Sequence, residues 1–393
     1  MVGQWSFGRR GEELEEEEEE DGEDEEGTDG ALEARVGGGG DRGRGDPAGS
    51  GEEGEEARGE GGEYRGGVEE EEPRELSGAA AIGLSDGARG GWGADLDGGP
   101  GSGRGGDGGI PKFKARPTDV LLASFPKSGT TRLKALLFAT SNRSSFSNSQ
   151  HHPLTTLSPH ECVPFLESQV YTNSQIPSLG VLPSPRLFST HIPLRSLPQS
   201  VVDSGCRIVY LCHNPKDNFV SLWHFRNNLR TKANIEPLSL DEAMEQFCKG
   251  ISLFGLYWDH LLGYWKGHLE RPQKVQFLKY EEVMQDPVVH LTRLAEFISC
   301  PFTMDEEKEG VVEAIIRLCA FQNLSSLEVS KNGTTKFVQI PVENSLFYRR
   351  GVVGDWVNNL TPEMVRQLEE ITGSKFRGSG LTFYAPTARV RFP

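Results

Sequence analysis

The sequence predicts an α/β fold: a single domain with a central parallel sheet flanked by helices, a loop of phosphate-binding type after its first strand, and a disordered tail in front. Three observations predict it. Apolar runs at 120–124, 206–212 and 275–279 each hand over to a helical pattern, the alternation from which parallel sheets are built. The run CRIVYLC at 206–212 is apolar except for Arg207, as a strand covered on both faces requires. Composition divides the chain, because residues 1–109 hold 32 acidic and 10 basic residues and 34 of the 48 glycines.

Such a segment buries too little apolar surface to offset the entropy of ordering it. Residues 1–109 are therefore expected to be a disordered Gly/Glu-rich acidic tail, and 110–393 the folded domain. The net charge of −17 belongs to the tail, since the remainder carries 31 basic against 26 acidic residues. A mildly basic body suits an anionic ligand. No basic segment followed by an apolar one suggests a signal peptide, and no stretch approaches the roughly 20 apolar residues that span a bilayer. The six cysteines lack C-x-x-C spacing and read as core thiols in a reducing compartment, pointing to the cytoplasm.

The first strand, Val120–Ser124, leads through Pro126 and Lys127-Ser128-Gly129-Thr130-Thr131 into a helix expected over Arg132–Ala139. A strand that ends in such a loop aims backbone N–H groups at one point on the positive end of the helix, with Lys127 adding a mobile charge. An anion site is one reading, and an ordinary capped turn is the other. The order differs from the G-x-x-x-x-G-K-[ST] loop of nucleotide triphosphatases, because Lys precedes Gly.

A helix is expected to start near Ser158 and to include Val163, Phe165 and Leu166. His151, His152 and His160 read as surface residues. Next, the short strand in RLFSTHIP ends at His191, at the edge where open parallel sheets bind ligands; a base and a structural hydrogen-bonder are both open there. CRIVYLC then passes through His213-Asn214-Pro215 into a helix over Asn218–Arg226, with Ser221 either near a phosphate or exposed. Helical spacing with large aromatics over Leu240–Gly263 and Trp265–Leu269 reads as core. A strand at Val275–Lys279 precedes amphipathic helices at Val288–Ile298 and Glu309–Leu318. Arg349-Arg350-Gly351 fits a phosphate clamp or a solvated basic pair. Thr361-Pro362 reads as an N-cap followed by proline at the first helical position.

Together the blocks FPKSGTTRLKAL, CRIVYLCHNPKDNFVSLWHF, FLKYEEVMQDP, LCAFQNLSSLEVSKNG and FYRRGVVGDWVNNLTPEM resemble the plant-type cytosolic sulfotransferases that use 3′-phosphoadenosine-5′-phosphosulfate (PAPS). The resemblance runs from about Ala115 to Phe383. It implies that Lys127, Ser128, Gly129, Thr130 and Thr131 hold the 5′-phosphosulfate. It further implies Ser221, Arg349, Arg350 and Gly351 at the 3′-phosphate, Tyr280 and Phe321 near the adenine, His191 as catalytic base and Lys127 as stabiliser of the leaving nucleotide. Arg132 stands where the family has a Trp that stacks on the adenine, and His213 where it has an Arg that pairs with the 3′-phosphate; weaker PAPS binding is expected from both. The implied partner is a small hydroxylated metabolite such as a flavonoid, a steroid-like alcohol or a hydroxyjasmonate. No metal, nucleic acid or membrane is implied, and a homodimer is allowed. The alternative is a catalytically impaired descendant that binds nucleotide weakly or acts through partners.

Overall fold

The computed structural model describes residues 113–146, 151–171, 179–337 and 340–383. The acidic tail expected over 1–109, and the start of the domain at 110, lie outside the described residues.

Four parallel strands form the central sheet in the order β2-β1-β3-β4: β1 Val120–Ser124, β2 Leu187–Thr190, β3 Arg207–Cys212 and β4 Val275–Lys279. Register runs from Val120 beside Leu187 and Arg207 to Leu211 beside Leu278. Because successive side chains point to opposite faces, the strands feed two cores. Leu121, Ala123, Phe188, Ile208, Tyr210 and Cys212 join the cluster on one face, whereas Val120, Leu122, Val209 and Leu211 join the other. The aromatic helical segment does pack as core, with Tyr257, Trp258 and Tyr264 essentially buried.

The chain leaves β1 towards β2 on one side and later returns to place β3 on the other. That reversal opens a crevice at the carboxyl ends of β1 and β3, where open α/β sheets take ligands. The loops after β1, β2 and β3 all end there, carrying Lys127, His191 and His213.

Helix α1 runs Thr130–Ser141 and starts two residues earlier than its apolar spacing indicates. The segment after Ser158 departs more. Ser158 caps a four-residue helix, α2, Pro159–Cys162, with a capping box to Glu161, and Pro164 prevents its continuation. Phe165 then bridges to Ser189, and a single π-helical turn covers Leu166–Val170. His152 and His160 are buried, contrary to the surface reading, while His151 is exposed. Both buried rings pack against aromatic side chains, and local polarity in the sequence does not report that packing.

After α3, Gln199–Asp203, and β3 comes α4, Pro215–Lys232. Asn214 accepts a hydrogen bond from the Lys216 N–H at 3.0 Å, and Pro215 occupies the first helical position. The helix therefore starts three residues before the expected Asn218, which leaves Ser221 in the second turn, away from the positive end. The helical spacing over 240–263 is divided between two helices. Gly250, at φ 70°, ends α5, Leu240–Lys249, and α6 resumes at Tyr257–Glu270. Then follow α7, Tyr280–Gln285, α8, Pro287–Phe297, and α9, Met304–Lys308. Gly310 in the left-handed region separates α9 from α10, Val311–Leu318. Two short helices, α11 Phe321–Ser326 and α12 Glu328–Asn332, lead to a hairpin absent from the sequence reading, β5 Thr334–Phe337 with β6 Ile340–Glu343. Thr361 caps α13, Pro362–Phe376, as its residues indicate.

Candidate active site

The loop after β1 is built to leave donors free. Lys127 and Gly129 both take positive φ, 63° and 93°, and Gly129 sits at the N-cap of α1 with no side-chain cap. The first N–H groups of a twelve-residue helix therefore point into the crevice without a capping oxygen. Only glycine fits at 129, because a Cβ there would lie 2.4 Å from Cδ2 of Tyr280. Asn218 of α4 clamps the loop, donating to the Pro126 carbonyl at 2.8 Å and to Ser128 Oγ at 3.2 Å. Thr130 Oγ1 pairs with Ser124 Oγ at 2.7 Å.

Thr131 is held from behind. Lys134 Nζ lies 3.1 Å from His160 Nδ1, and His160 Nε2 lies 3.1 Å from Thr131 Oγ1. While Lys134 is protonated it can only donate, so Nδ1 accepts and Nε2–H donates to the threonine. Thr131 keeps its own O–H free for another acceptor. Burial pushes the pKa values of Lys134 and His160 well down.

His191 follows β2 and is fixed at three points. Its Nδ1 is 2.6 Å from the Ser124 carbonyl, its backbone N–H donates to Glu167 Oε1 at 2.6 Å, and its carbonyl accepts from His260 Nε2 at 2.9 Å. His260 is set in turn by the Tyr210 hydroxyl, 2.8 Å from its Nδ1. A carbonyl can only accept, so His191 carries its proton on Nδ1 and leaves Nε2 as a lone pair. Burial holds the ring pKa at about 3, with Lys134, His260 and Lys127 adding to the depression and the Ser124 bond opposing it. The imidazole is thus neutral at physiological pH. Phe165 and Phe254 flank it at ring-centre distances of 4.5 and 5.3 Å.

The Lys127 ammonium lies 4.4 Å from the centre of the Phe225 ring. Burial, and then the charge of Arg349, lower its pKa to about 7. Arg349 and Arg350 each donate through Nη1 to Asp355, both at 2.5 Å. Burial pushes the Asp355 carboxyl up, but hydrogen bonds from Asn358 and both arginines hold it below its usual value. Gly351, at φ 64°, lies under Phe321, whose Cδ2 would sit 2.4 Å from a Cβ. Asp217 on the first turn of α4 accepts from the N–H groups of Gly354 at 2.8 Å and Trp356 at 3.0 Å. The arginine turn is therefore pinned to the helix after β3.

Two residues depart from expectation in their surroundings. Arg132 directs Nη1 to Met284 Sδ and lies close to Tyr280, while its Nε is buried without a partner. His213 is buried, with Nε2 3.6 Å from Glu281 Oε1 and 4.0 Å from Asp217 Oδ2, so it faces two carboxylates. Lys127 to Thr131, His191, Tyr280, Phe321 and the Arg-Arg-Gly turn gather at one end of the sheet. Ser221 lies on the same helix as Asp217 and Asn218 but beyond the first turn. Missed were Asn218, Asp217 and Asp355, which shape the site, and Lys134, His160, Glu167 and His260, which stand behind it. Asn214-Pro215, an N-cap followed by proline, was the one local signal that would have set Asp217 and Asn218 at the start of α4.

An uncapped helix end, an imidazole bonded through Nδ1 and two sets of cations are grouped at one end of the sheet. The sulfotransferase domain family matches residues 117–380, and the chain belongs to it, with the plant cytosolic sulfotransferases among its relatives. Cytosolic sulfotransferase 11 of Arabidopsis thaliana is 48% identical over 273 residues, covering 69% of this chain and 76% of that one. Flavonol 4'-sulfotransferase of Flaveria chlorifolia is 46% identical over 269 residues, covering 68% and 82%. The crystal structure of mouse sulfotransferase SULT7A1 complexed with PAP aligns with a TM-score of 0.54 and 28% identity, over 69% of this chain and 88% of that one. The protein is an enzyme that transfers sulfonate to small acceptors, and these relationships favour it over the binding-only alternative.

Gly129→Ala is expected to lower sulfonate transfer about 100-fold or more, because even a 1 Å displacement of the loop misaligns the reacting groups. Turnover near wild type in a folded variant, checked by circular dichroism, would show that the glycine is not needed for the loop's shape.

Proposed function

We propose that the donor is PAPS and that the acceptor is the hydroxyl of a small, largely apolar metabolite. The carrying observation is the uncapped, glycine-hinged start of α1 beside Lys127, with a proton-free His191 Nε2 at the neighbouring strand end. The residues fit an anionic donor: free N–H groups, the Thr131 hydroxyl and Lys127 at one end, Arg349 and Arg350 at the other. PAP in the mouse relative supports a nucleotide of this kind. Tyr280 and Phe321, each resting on one of the two obligatory glycines, supply aromatic surface for a base. The cytosolic names of the plant relatives support the same compartment here.

The acceptor oxygen attacks sulfur as its proton passes to His191 Nε2. The bond from sulfur to the bridging oxygen of the nucleotide breaks, and the electron pair stays on that oxygen. Lys127 stabilises this growing charge, as cations do in phosphoryl transfer. With a pKa of about 3 in the free protein, His191 is a weak base. An anionic donor raises its basicity by offsetting the positive field of Lys127 and Lys134. Phe165 and Phe254 beside the imidazole suit an apolar or aromatic acceptor; the name of the flavonol sulfotransferase relative points the same way.

Incubation with ³⁵S-labelled PAPS and a panel of phenols, steroids and hydroxy acids tests the reading. His191→Ala is expected to lower kcat by about 100- to 10,000-fold, and Lys127→Ala by about 100- to 1,000-fold. Transfer to no acceptor, with no detectable PAP binding, would refute it. Lys127 also sets a pH dependence. Protonated below its pKa of about 7, it loses its charge above that value. PAP affinity should be flat on the acid side and fall by up to about tenfold per pH unit on the alkaline side, the limit for one linked proton. Lys127→Arg should remove the decline; a wild-type affinity unchanged to pH 9 would contradict this role.

A further inference from the structure

His213, Asp217 and Glu281 do not resemble a phosphate site. Their donor atoms, one imidazole nitrogen and two carboxylate oxygens, all lie within 4.8 Å of one another. Among the described residues they form the single group of three such side chains placed closely enough to share a cation. The corner is nearly dry, with side-chain exposures of 8% for His213, 4% for Asp217 and 20% for Glu281. Two carboxyl groups face one imidazole where water screens little of their charge.

An independent observation concerns hydrogen bonds. Both ring nitrogens of His213 are buried without a partner, and so is Glu281 Oε2. Buried polar atoms are ordinarily satisfied, so a His213 Nε2 without a hydrogen-bond partner, facing Glu281 Oε1 and Asp217 Oδ2, points to a missing group there. Carboxylate oxygens and an imidazole nitrogen can all offer lone pairs, which suits a group that accepts them.

The donors are also held in place from outside, as metal ligands are. Asp217 receives the N–H groups of Gly354 and Trp356, Glu281 Oε1 receives that of Asn214 at 2.6 Å, and the His213 carbonyl is bound by the Tyr257 hydroxyl. Oxygen and imidazole ligands around tetrahedral zinc sit about 3.3 Å apart, given bonds of about 2.0 to 2.2 Å. The observed 3.6 and 4.0 Å from Nε2 need only small side-chain rotations to close.

We propose that His213, Asp217 and Glu281 bind a divalent transition-metal ion of zinc type, with a fourth position open to water or an anion. Mixed nitrogen and oxygen donors suit zinc, whereas magnesium prefers oxygen ligands and keeps several waters. The ion ties the start of α4 to the start of α7.

The test is titration of the full-length, chelator-stripped protein with Zn²⁺, without nucleotide or acceptor, by calorimetry and by competition with a chromogenic chelator. One ion per chain is expected. His213→Gln and Glu281→Gln should each weaken it by more than about 100-fold, beyond the effect of losing an outer-shell contact. X-ray absorption of the wild-type zinc form should show imidazole nitrogen and oxygen ligands and no sulfur, a readout independent of whether the variants fold. Absence of one-to-one binding, unchanged affinity in His213→Gln, or sulfur from the cysteines in the spectrum would overturn the proposal. An imidazolium bridging the two carboxylates would give the first of these results. Because no sulfonate donor is present, failure here leaves sulfonate transfer untouched, and failure of transfer leaves this measurement intact.

Discussion

The hydrogen bond from His191 Nδ1 to the Ser124 carbonyl is the interaction on which the rest depends. It joins the carboxyl ends of β1 and β2 and sets which imidazole nitrogen is free. The same strand end, one turn further on, becomes the glycine-hinged loop at the start of α1. His191 and that loop are thus placed by adjacent strands of one sheet, whose register is fixed by backbone ladders and two buried faces. Precision in the site is inherited from the sheet.

Behind this bond stands a costly polar layer. Lys134, His160, Glu167 and His260 lie in the interior at the back of the site, and each burial opposes charge. Glu167 and His260 hydrogen-bond the His191 backbone, while Lys134 pairs with His160 and His160 with Thr131. Such networks are tolerated when they fix geometry that an apolar core would leave loose. The site residues in the crevice can therefore be few, since those behind them restrict their rotamers.

Much of this was legible in the residues. Strands β1 and β4 appear with the bounds their apolar runs indicate, and the strand-loop-helix unit around Gly129 is visible because its glycine and the following helix are local features. Local signals also explain the errors. Asn214-Pro215 starts α4 before the expected Asn218, and Gly250 interrupts the helical spacing over 240–263. His152 and His160 were misjudged because burial is a property of what packs across space. Neither the facing of His213 by Asp217 and Glu281 nor the closure of Arg349 and Arg350 on Asp355 can be seen without the fold, since the partners come from different elements or from a turn whose shape is not periodic.

The central claim is that His191 is a neutral imidazole protonated on Nδ1, with Nε2 free. Nitrogen-15 NMR of the histidine-labelled protein, assigned through His191→Gln, measures this directly. The structure predicts the Nδ1–H tautomer, uncharged from pH 5 to pH 8, in keeping with a pKa of about 3. An Nε2–H tautomer, or an imidazolium that titrates near the ordinary histidine value of about 6.5, would contradict it.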